Sequence, residues 1–199
     1  MSRHSPALVT RTLQAERPLL KTLERIWYCT WPDANSNICF MEIESLKAIP
    51  FLKNLSDGEL NSFSALLETR ECKQGERILE EDAVPTAFHI VCDGVVHVRR
   101  RGANRREMLL ARLGSGSFFG EINLFDPGVA TASIYAMKKT NVATISYSRF
   151  RAFMDENPRA GYQIASAILT EVARRMRTTD ERLANSIFRS DQPGGGKSG

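Results

Sequence analysis

Glycines divide the middle of this sequence, from about residue 71 to residue 148, into short runs rich in valine, isoleucine and phenylalanine. The runs are ERILEE, AFHIVCDG, VVHVRR, REMLLARL, ATASIYA and NVATISY, and each has the length of a β-strand. Glycine at the corners between them permits the positive φ angles that tight turns require. The pattern predicts an antiparallel β-sandwich or barrel in this part of the chain.

Helices are predicted on both sides of the strand-rich region. In the run SDGELNSFSALLETREC, Ser56 is a good N-cap, and Glu59 stands three residues later as its capping-box partner. After the strands, Asn157 is a good N-cap, and Pro158 suits a first helical turn because its missing N–H would have no partner there. The predicted fold class is therefore mainly β with flanking helices.

The predicted C-terminal helix carries a seven-residue apolar repeat. An a/d seam is formed by the series Tyr162, Leu169, Met176 and Leu183 together with the offset series Ala165, Val172, Thr179 and Ser186. Such a stripe either packs on its own barrel or pairs with a second copy of the helix. We favour a parallel homodimer, since the stripe continues beyond the length that a barrel could cover.

Four segments follow from these patterns. We expect an N-terminal helical arm at 1–45, a β-barrel at 46–156, a long helix at 157–189 and a tail at 190–199. The tail sequence is almost entirely glycine and polar residues, so it has no apolar area to bury and is predicted to be disordered.

Composition and spacing exclude several classes of protein. A chain of 199 residues with 42% hydrophobic and 25% charged residues suits one globular domain with helical additions. No apolar stretch reaches the roughly 20 residues of a membrane span, and no signal peptide is evident, so a cytoplasmic protein is expected. There is no spacing typical of a metal site, a nucleophile elbow or a phosphate-binding loop, so neither a metal nor an enzymatic activity is predicted.

The net charge of +4 is concentrated in the segment RRRGANRR at residues 99–106. This segment lies where two strands should turn, with Gly102 and Asn104 supplying the turn chemistry. A solvated hairpin tip is the favoured interpretation, and a contact with phosphate or with a partner is the alternative.

Taken together, the residues from about Ile49 to Phe188 resemble the cyclic-nucleotide-binding domain family, most closely the effector half of the bacterial catabolite activator proteins. The resemblance rests on the segments IPFLKNLSDGEL, GERILEE, AFHIVCDGVVHV, GSGSFFGEINLF, ATISYSRFRAFMDENP and VARRMRTTDERLANSIF. It implies a β-roll or jelly-roll barrel, a long dimerisation helix, and a cytoplasmic bacterial protein of signal transduction.

Gly120, Glu121 and Ile122 open the segment that corresponds to the family's phosphate cassette. The resemblance implies that Glu121 accepts a hydrogen bond from a ribose hydroxyl, while backbone N–H groups of a short helix face the phosphate. A carboxylate at a helix start is stabilised by the same N–H groups without any ligand, so this alternative is equally open.

The arginine that binds the phosphate in the family is missing. The resemblance places its position at Ala130 and the neighbouring hydroxyl position at Thr131, and a second alignment places Thr131 at the arginine position. No lysine or arginine occurs anywhere from Phe118 to Ala136. Losing such a partner costs about 2 to 5 kcal/mol, or roughly 30-fold to several thousand-fold in affinity. We therefore predict weak or no binding of cAMP or cGMP, unless a basic residue of the N-terminal arm or the hairpin reaches the site.

Thr179 corresponds to a family hydroxyl that receives the adenine edge at the dimer seam, and Asp180 stands where the next hydroxyl would be. The alternative is that Thr179 is a plain seam residue. The resemblance ends with the helix, because only eleven residues, mostly glycine and polar, follow Phe188. Sequence-specific DNA binding through a helix-turn-helix is therefore not expected.

These observations predict a dimeric regulatory or signalling module with a degenerate phosphate cassette, acting through contacts with an unidentified protein partner. The alternative is a genuine sensor of a cyclic nucleotide or another small effector that uses a non-standard pocket.

Overall fold

The computed structural model describes residues 29–30, 40–41, 43–102, 104 and 106–190. Most of the predicted helical arm, and the predicted tail from residue 191 onwards, lie outside these residues. Within the arm, the described residues form a short antiparallel pair, β1 (Cys29–Thr30) and β2 (Phe40–Met41), followed by helix α1 (Ile43–Lys47). The part of the arm that can be compared with the prediction is therefore not purely helical.

Helix α2 (Asp57–Ser64) begins at the predicted capping box. The Ser56 hydroxyl accepts a hydrogen bond from the Glu59 N–H at 3.4 Å, and the Glu59 carboxylate accepts one from the Ser56 N–H at 2.7 Å. These two bonds satisfy donors that would otherwise be left without partners in the first turn. The end of the run that was assigned to this helix, ETREC, forms a strand instead.

Eight strands form two four-stranded antiparallel sheets. In chain order they are β3 (Glu68–Cys72), β4 (Arg77–Leu79), β5 (Ala87–Asp93), β6 (Val95–Arg101), β7 (Glu107–Gly114), β8 (Phe118–Phe119), β9 (Ser133–Ala136) and β10 (Thr140–Ser146). One sheet has the order β3-β10-β5-β8 and the other β4-β9-β6-β7. A five-residue helix, α3 (Glu121–Phe125), lies between β8 and β9. The predicted antiparallel β-roll is confirmed.

Two apolar clusters hold the fold together. One lies between the sheets and includes Val91, Val96 and Val142, all fully buried. The other joins the first sheet to the flanking helices and contains Phe63, Phe88 and Phe150, whose rings meet edge to face. Burial of such large side chains supplies the main favourable free energy of folding.

Two helices follow the last strand. Helix α4 (Tyr147–Glu156) was not predicted; the Ser146 hydroxyl caps it by accepting a bond from the Arg149 N–H. Helix α5 (Pro158–Ser190) then starts at the predicted proline. Asn157 stands at the predicted N-cap position, where its carbonyl accepts from the Gly161 N–H at 2.8 Å, and its side-chain amide donates back to the Phe153 carbonyl of α4 at 3.0 Å.

The two sides of α5 differ in burial. Ala160, Ile164 and Ile168 are buried where the helix packs against α4 and the barrel. One series of the predicted seam faces outward, with exposed fractions of 71% for Tyr162 and 65% for Met176. In the offset series, Ala165 and Val172 are half-buried, and Val172 packs against the core of its own domain. Within the described residues, neither α5 nor any other helix has the length and apolar character needed to traverse a bilayer.

Candidate functional site

The start of the cassette is fixed by a glycine that no other residue can easily replace. Gly120 has a φ of +80° and precedes α3. A Cβ at this position would lie 2.8 Å from the Ala87 carbonyl oxygen. The Tyr147 hydroxyl donates a hydrogen bond of 2.8 Å to the Gly120 carbonyl, and burial raises the pKa of Tyr147 to about 12, so this donor keeps its proton. The turn into α3 is thus held by the fold itself.

Glu121, the first residue of α3, is a buried carboxylate with a partner from a distant helix. Arg175 of α5 donates from Nη1 to a Glu121 carboxylate oxygen at 3.2 Å. Burial raises the pKa of Glu121, and the positive charge of Arg175 opposes that rise. The ion pair therefore stabilises the charged form of Glu121 although this side chain is buried.

Arg175 is held by four groups at once. Besides Glu121, its Nε donates to Glu171 at 2.9 Å and its Nη2 donates to the Phe118 carbonyl at 3.0 Å. The guanidinium also lies 4.7 Å from the centre of the Phe118 ring. This arrangement ties α5 to both β8 and α3.

The end of the cassette is held by backbone contacts. The Ala130 N–H donates to the Ala83 carbonyl at 2.8 Å, and the Asp82 N–H donates to the Ala130 carbonyl at 2.9 Å. The Asn123 amide donates to the Gly128 carbonyl at 2.8 Å and so closes the turn from α3. Ala130 is only 2% exposed, whereas Thr131 is exposed.

These segments enclose a small, partly open cavity of about 90 Å³. Its apolar walls come mainly from the β4-β9-β6-β7 sheet, with one residue from β8 and one from the loop before β9. They consist of Leu79, Val98, Leu113, Phe119, Ala132 and Ile134. The remaining lining belongs to the cassette, apart from Arg175. Among these lining residues, all within the described part of the chain, Arg175 supplies the one positive charge and Glu121 the one negative charge.

His89 lies beside the cassette start but adds no positive charge there. His89 stacks on Phe119 with ring centres 4.8 Å apart, and its Nδ1 lies 3.0 Å from the Thr144 hydroxyl. Burial lowers the pKa of His89 to about 4, so the ring is neutral at physiological pH.

Five of the six predicted site residues come together at this cavity. Gly120, Glu121, Ile122, Ala130 and Thr131 line it. Thr179 does not; it is exposed on α5, and its hydroxyl donates to the Arg175 carbonyl at 3.0 Å.

Sequence reasoning missed Arg175. This residue lies inside the segment VARRMRTTDERLANSIF that carries the family resemblance, but the resemblance implied a role only for Thr179 and Asp180, which follow it. Among the described residues, the basic residue that reaches the cassette comes from α5 and not from the basic hairpin. The signal available was a buried glutamate without a local cation, because such a carboxylate requires a partner from elsewhere in the chain.

The basic hairpin pairs its arginines with acidic neighbours. Arg99 contacts Glu107 at 3.3 Å, and Arg101 contacts Asp82 at 3.0 Å and Glu81 at 3.4 Å. Ion pairs of this kind fit a solvated hairpin tip better than a surface that awaits phosphate groups.

Among the described residues, no group of three or more histidine, cysteine, aspartate or glutamate side chains lies close enough together to hold a metal ion.

A β-roll with a glycine–glutamate cassette and a cavity beneath a long C-terminal helix defines the cyclic-nucleotide-binding class of domain. Residues 69–157 match the family model of the cyclic nucleotide-binding domain. The chain therefore carries a domain of this family and is related to regulators of the CRP type.

Two relatives and one solved structure illustrate that relationship. The chain is 26% identical over 151 residues to the CRP-like cAMP-activated global transcriptional regulator of Mycobacterium tuberculosis, covering 76% of this chain and 65% of the relative. It is 35% identical over 109 residues to the cAMP-activated global transcriptional regulator CRP of Haemophilus influenzae, covering 54% of this chain and 46% of the relative. The catabolite activator protein of Thermus thermophilus superposes with a TM-score of 0.61 at 27% identity, covering 70% of this chain and 63% of that one. The chain thus spans about half to two thirds of the length of these proteins.

Proposed function

We propose that this protein is a dimeric regulatory module of the cyclic-nucleotide-binding class that binds cAMP weakly or not at all and acts through protein contacts. The observation that carries the proposal is the placement of charge in the cavity. Its one cation, Arg175, is bonded to Glu121, Glu171 and the Phe118 carbonyl. A phosphodiester entering the cavity has no unengaged guanidinium to neutralise it.

The energetic consequence is large. A charge-assisted pair between a buried guanidinium and a phosphate typically contributes about 2 to 5 kcal/mol, measured as the cost of removing one partner. Recruiting Arg175 would break its bond with Glu121 and leave that buried carboxylate without a counter-ion. Ala130 and Thr131, at the matching end of the cassette, offer no charge in exchange.

The size of the cavity supports the same conclusion. Its volume of about 90 Å³ is well below the roughly 300 Å³ at which typical ligand pockets begin. A whole cyclic nucleotide would need the walls or the long helix to move, and that rearrangement would cost further affinity.

Titration calorimetry with cAMP and cGMP tests the proposal. We expect the unmodified protein to bind both no more tightly than about millimolar, and Ala130→Arg to raise the cAMP affinity by at least about tenfold. Thr131→Arg is the matched control for the second alignment, and only the variant that meets the phosphate should gain affinity. Binding at or below micromolar by the unmodified protein would refute the degenerate cassette.

The dimer is proposed from the outward face of α5. Tyr162, Leu169 and Met176 keep a seven-residue spacing and are 71%, 68% and 65% exposed. Large apolar side chains in a heptad stripe on a 33-residue helix are typical of a coiled-coil surface that needs a partner. A second copy of the helix satisfies this pattern by symmetry.

Light scattering tests the dimer. The double variant Leu169→Asp and Met176→Asp should give the mass of a monomer, because two carboxylates would be buried opposite each other across the seam. Thr170→Asp introduces a single carboxylate about 100° around the helix from Leu169 and should leave the mass of the dimer unchanged. An unchanged dimer mass for the double variant would exclude this seam.

A further inference from the structure

A row of four polar side chains crosses the sheet β4-β9-β6-β7. His97 of β6 stands directly opposite Arg112 of β7 on one side and Tyr135 of β9 on the other. Tyr135 in turn stands opposite Arg77 of β4. Residues that are directly opposite each other project to the same face of a sheet, with Cβ atoms about 5 Å apart. The four side chains therefore share one face.

This face is the outer one, away from the cassette cavity. Side chains alternate between the two faces along a strand. Val96 precedes His97 and belongs to the apolar cluster between the sheets. Leu113 follows Arg112 and lines the cavity. A ligand of the outer face and a ligand of the cavity would therefore bind on opposite sides of the sheet.

His97 is buried but incompletely bonded. The residue is only 8% exposed, and its Nδ1 is buried without a hydrogen-bond partner among the described residues. Buried polar atoms in native proteins are nearly always bonded, so this nitrogen is available to a ligand. Burial, together with the positive charges of Arg112 and Arg99, lowers the pKa of His97, so the ring is mostly neutral at neutral pH.

Arg112, beside it, has a guanidinium that is not engaged. The side chain is exposed and makes no hydrogen bond or ion pair within the described part of the chain. Two other arginines of this face are paired. Arg77 contacts Glu80 at 2.8 Å, and Arg99 contacts Glu107 at 3.3 Å. Among the described residues, Arg112 thus leaves this face with an uncompensated positive charge.

The carboxylate of Glu107 does not neutralise Arg112. The Tyr135 hydroxyl donates to Glu107 at 3.0 Å, and the Arg99 guanidinium lies 5.3 Å from the centre of the Tyr135 ring. Tyr135 and Arg99 therefore hold this carboxylate between them, and an anion that reaches Arg112 does not have to displace it.

We propose that Arg112 and His97 bind a tetrahedral dianion, the chemistry shared by inorganic phosphate and a phosphorylated side chain. The guanidinium presents paired N–H donors to two oxygens, and protonated His97 donates from Nδ1 to a third. Because no bond holds the Arg112 side chain, it can turn to bring the anion against this buried nitrogen. Two positive charges then face two negative charges.

Histidine NMR on the full chain tests the proposal. The signal of His97 is assigned by its loss in His97→Gln, and its pKa is measured with sulfate, a dianion that does not titrate in this range, and with chloride at matched ionic strength. Sulfate should raise the pKa of His97 by at least about one unit, as an opposite charge in contact does. By linkage, sulfate should bind at least about tenfold more tightly near about pH 5 than near about pH 8.

Arg112→Gln is the variant that decides the matter. Because loss of Arg112 raises the pKa of His97 without any anion, the quantity compared is the further change that sulfate causes, which should vanish. Arg77→Gln is the matched control. Arg77 lies in the same row and its side chain is 47% exposed, but Tyr135 separates it from His97, so this variant should keep the sulfate effect. A thermal melt confirms that both variants are folded.

Inorganic phosphate and a phosphoserine tripeptide separate the two sources of the anion. Tighter binding of inorganic phosphate assigns the site to the free ion, and tighter binding of the tripeptide assigns it to a phosphorylated partner, while the unphosphorylated tripeptide should not bind. If sulfate changes the pKa of His97 no more than chloride does, or if Arg112→Gln keeps the sulfate effect, the site is refuted. Weak binding of cAMP by the cassette would stand in either case.

Discussion

The two ends of the cassette differ in what holds them. At its start, Gly120 and Glu121 are tied to Tyr147 and Arg175 by side-chain bonds of 2.8 and 3.2 Å. At its end, Ala130 is held by backbone bonds to the neighbouring loop, and Thr131 is exposed. The start depends on the side chains of Tyr147 and Arg175, whereas Ala130 at the end is held through its backbone.

This difference separates residues that the fold requires from residues that only a phosphate requires. Replacing Gly120 would force a side chain against the Ala87 carbonyl, and removing Arg175 would strand the Glu121 carboxylate. By contrast, any small side chain at Ala130 preserves the bonds of its backbone. A chain that no longer needs to hold a phosphate can thus lose the basic residue at the end and still keep the start.

Arg175→Met is expected to have the largest effect on stability. It leaves Glu121 buried without its counter-ion, and we expect the free energy of unfolding to fall by about 3 kcal/mol at neutral pH. Burial already raises the pKa of Glu121, and loss of Arg175 raises that pKa further. Because the protonated acid is the form favoured in the folded state, the deficit should shrink as the pH falls through the raised pKa and return as the pH rises. Urea unfolding of the variant and the unmodified protein, at neutral and at mildly acidic pH, measures this difference in the free energy of unfolding.

Arg174→Met is the matched control for this prediction. Arg174 is the neighbouring arginine and pairs with the same Glu171, but its side chain is 62% exposed. We expect a change of no more than about 0.5 kcal/mol, as for other exposed ion pairs. Adding Glu121→Gln to Arg175→Met should recover part of the loss, because the uncompensated charge is removed. Equal effects for the two arginines would contradict the assigned role of Arg175.

Gly120→Ala is expected to have the next largest effect, a loss of about 2 kcal/mol in the free energy of unfolding. Two costs add there, the positive φ and the contact of 2.8 Å with the Ala87 carbonyl. Gly75→Ala isolates the first cost, since Gly75 has a φ of +81° but open space around its Cβ position. Chemical denaturation should therefore show a clearly smaller loss for Gly75→Ala, and losses of equal size would mean that the cassette start is not crowded.

Local signals in the sequence were sufficient for much of the fold. The glycine-bounded runs correspond to β4, β5, β6, β7, β9 and β10, and the Ser56–Glu59 capping box marks the start of α2. These features depend on residues close together in the chain, and short-range physical rules describe such residues well.

Features that depend on distant contacts were harder to predict. Strand β8 has only two residues, too few to show the alternation of buried and exposed side chains that marks a strand. Helix α4 follows β10 directly, with no loop residue between them to mark the change from strand to helix. Asn157 precedes Pro158 as predicted, but it also ends α4, and the bond from its side-chain amide to the Phe153 carbonyl could not be foreseen because α4 itself was not predicted. The Glu121–Arg175 pair joins residues 54 positions apart, so the sequence alone indicated a missing cation without indicating its replacement.

Thr131→Ala is expected to have the smallest effect and tests the other side of the comparison. Thr131 is exposed and its neighbour Ala130 carries the backbone bonds, so the free energy of unfolding should change by no more than about 0.5 kcal/mol. A hydroxyl that takes part in phosphate binding would also change the affinity for cAMP when removed. If the end of the cassette is only a backbone scaffold, calorimetry with cAMP should give the same weak signal for the variant and the unmodified protein. A measurable loss of stability or of cAMP affinity would show that the two ends are more alike than their contacts indicate.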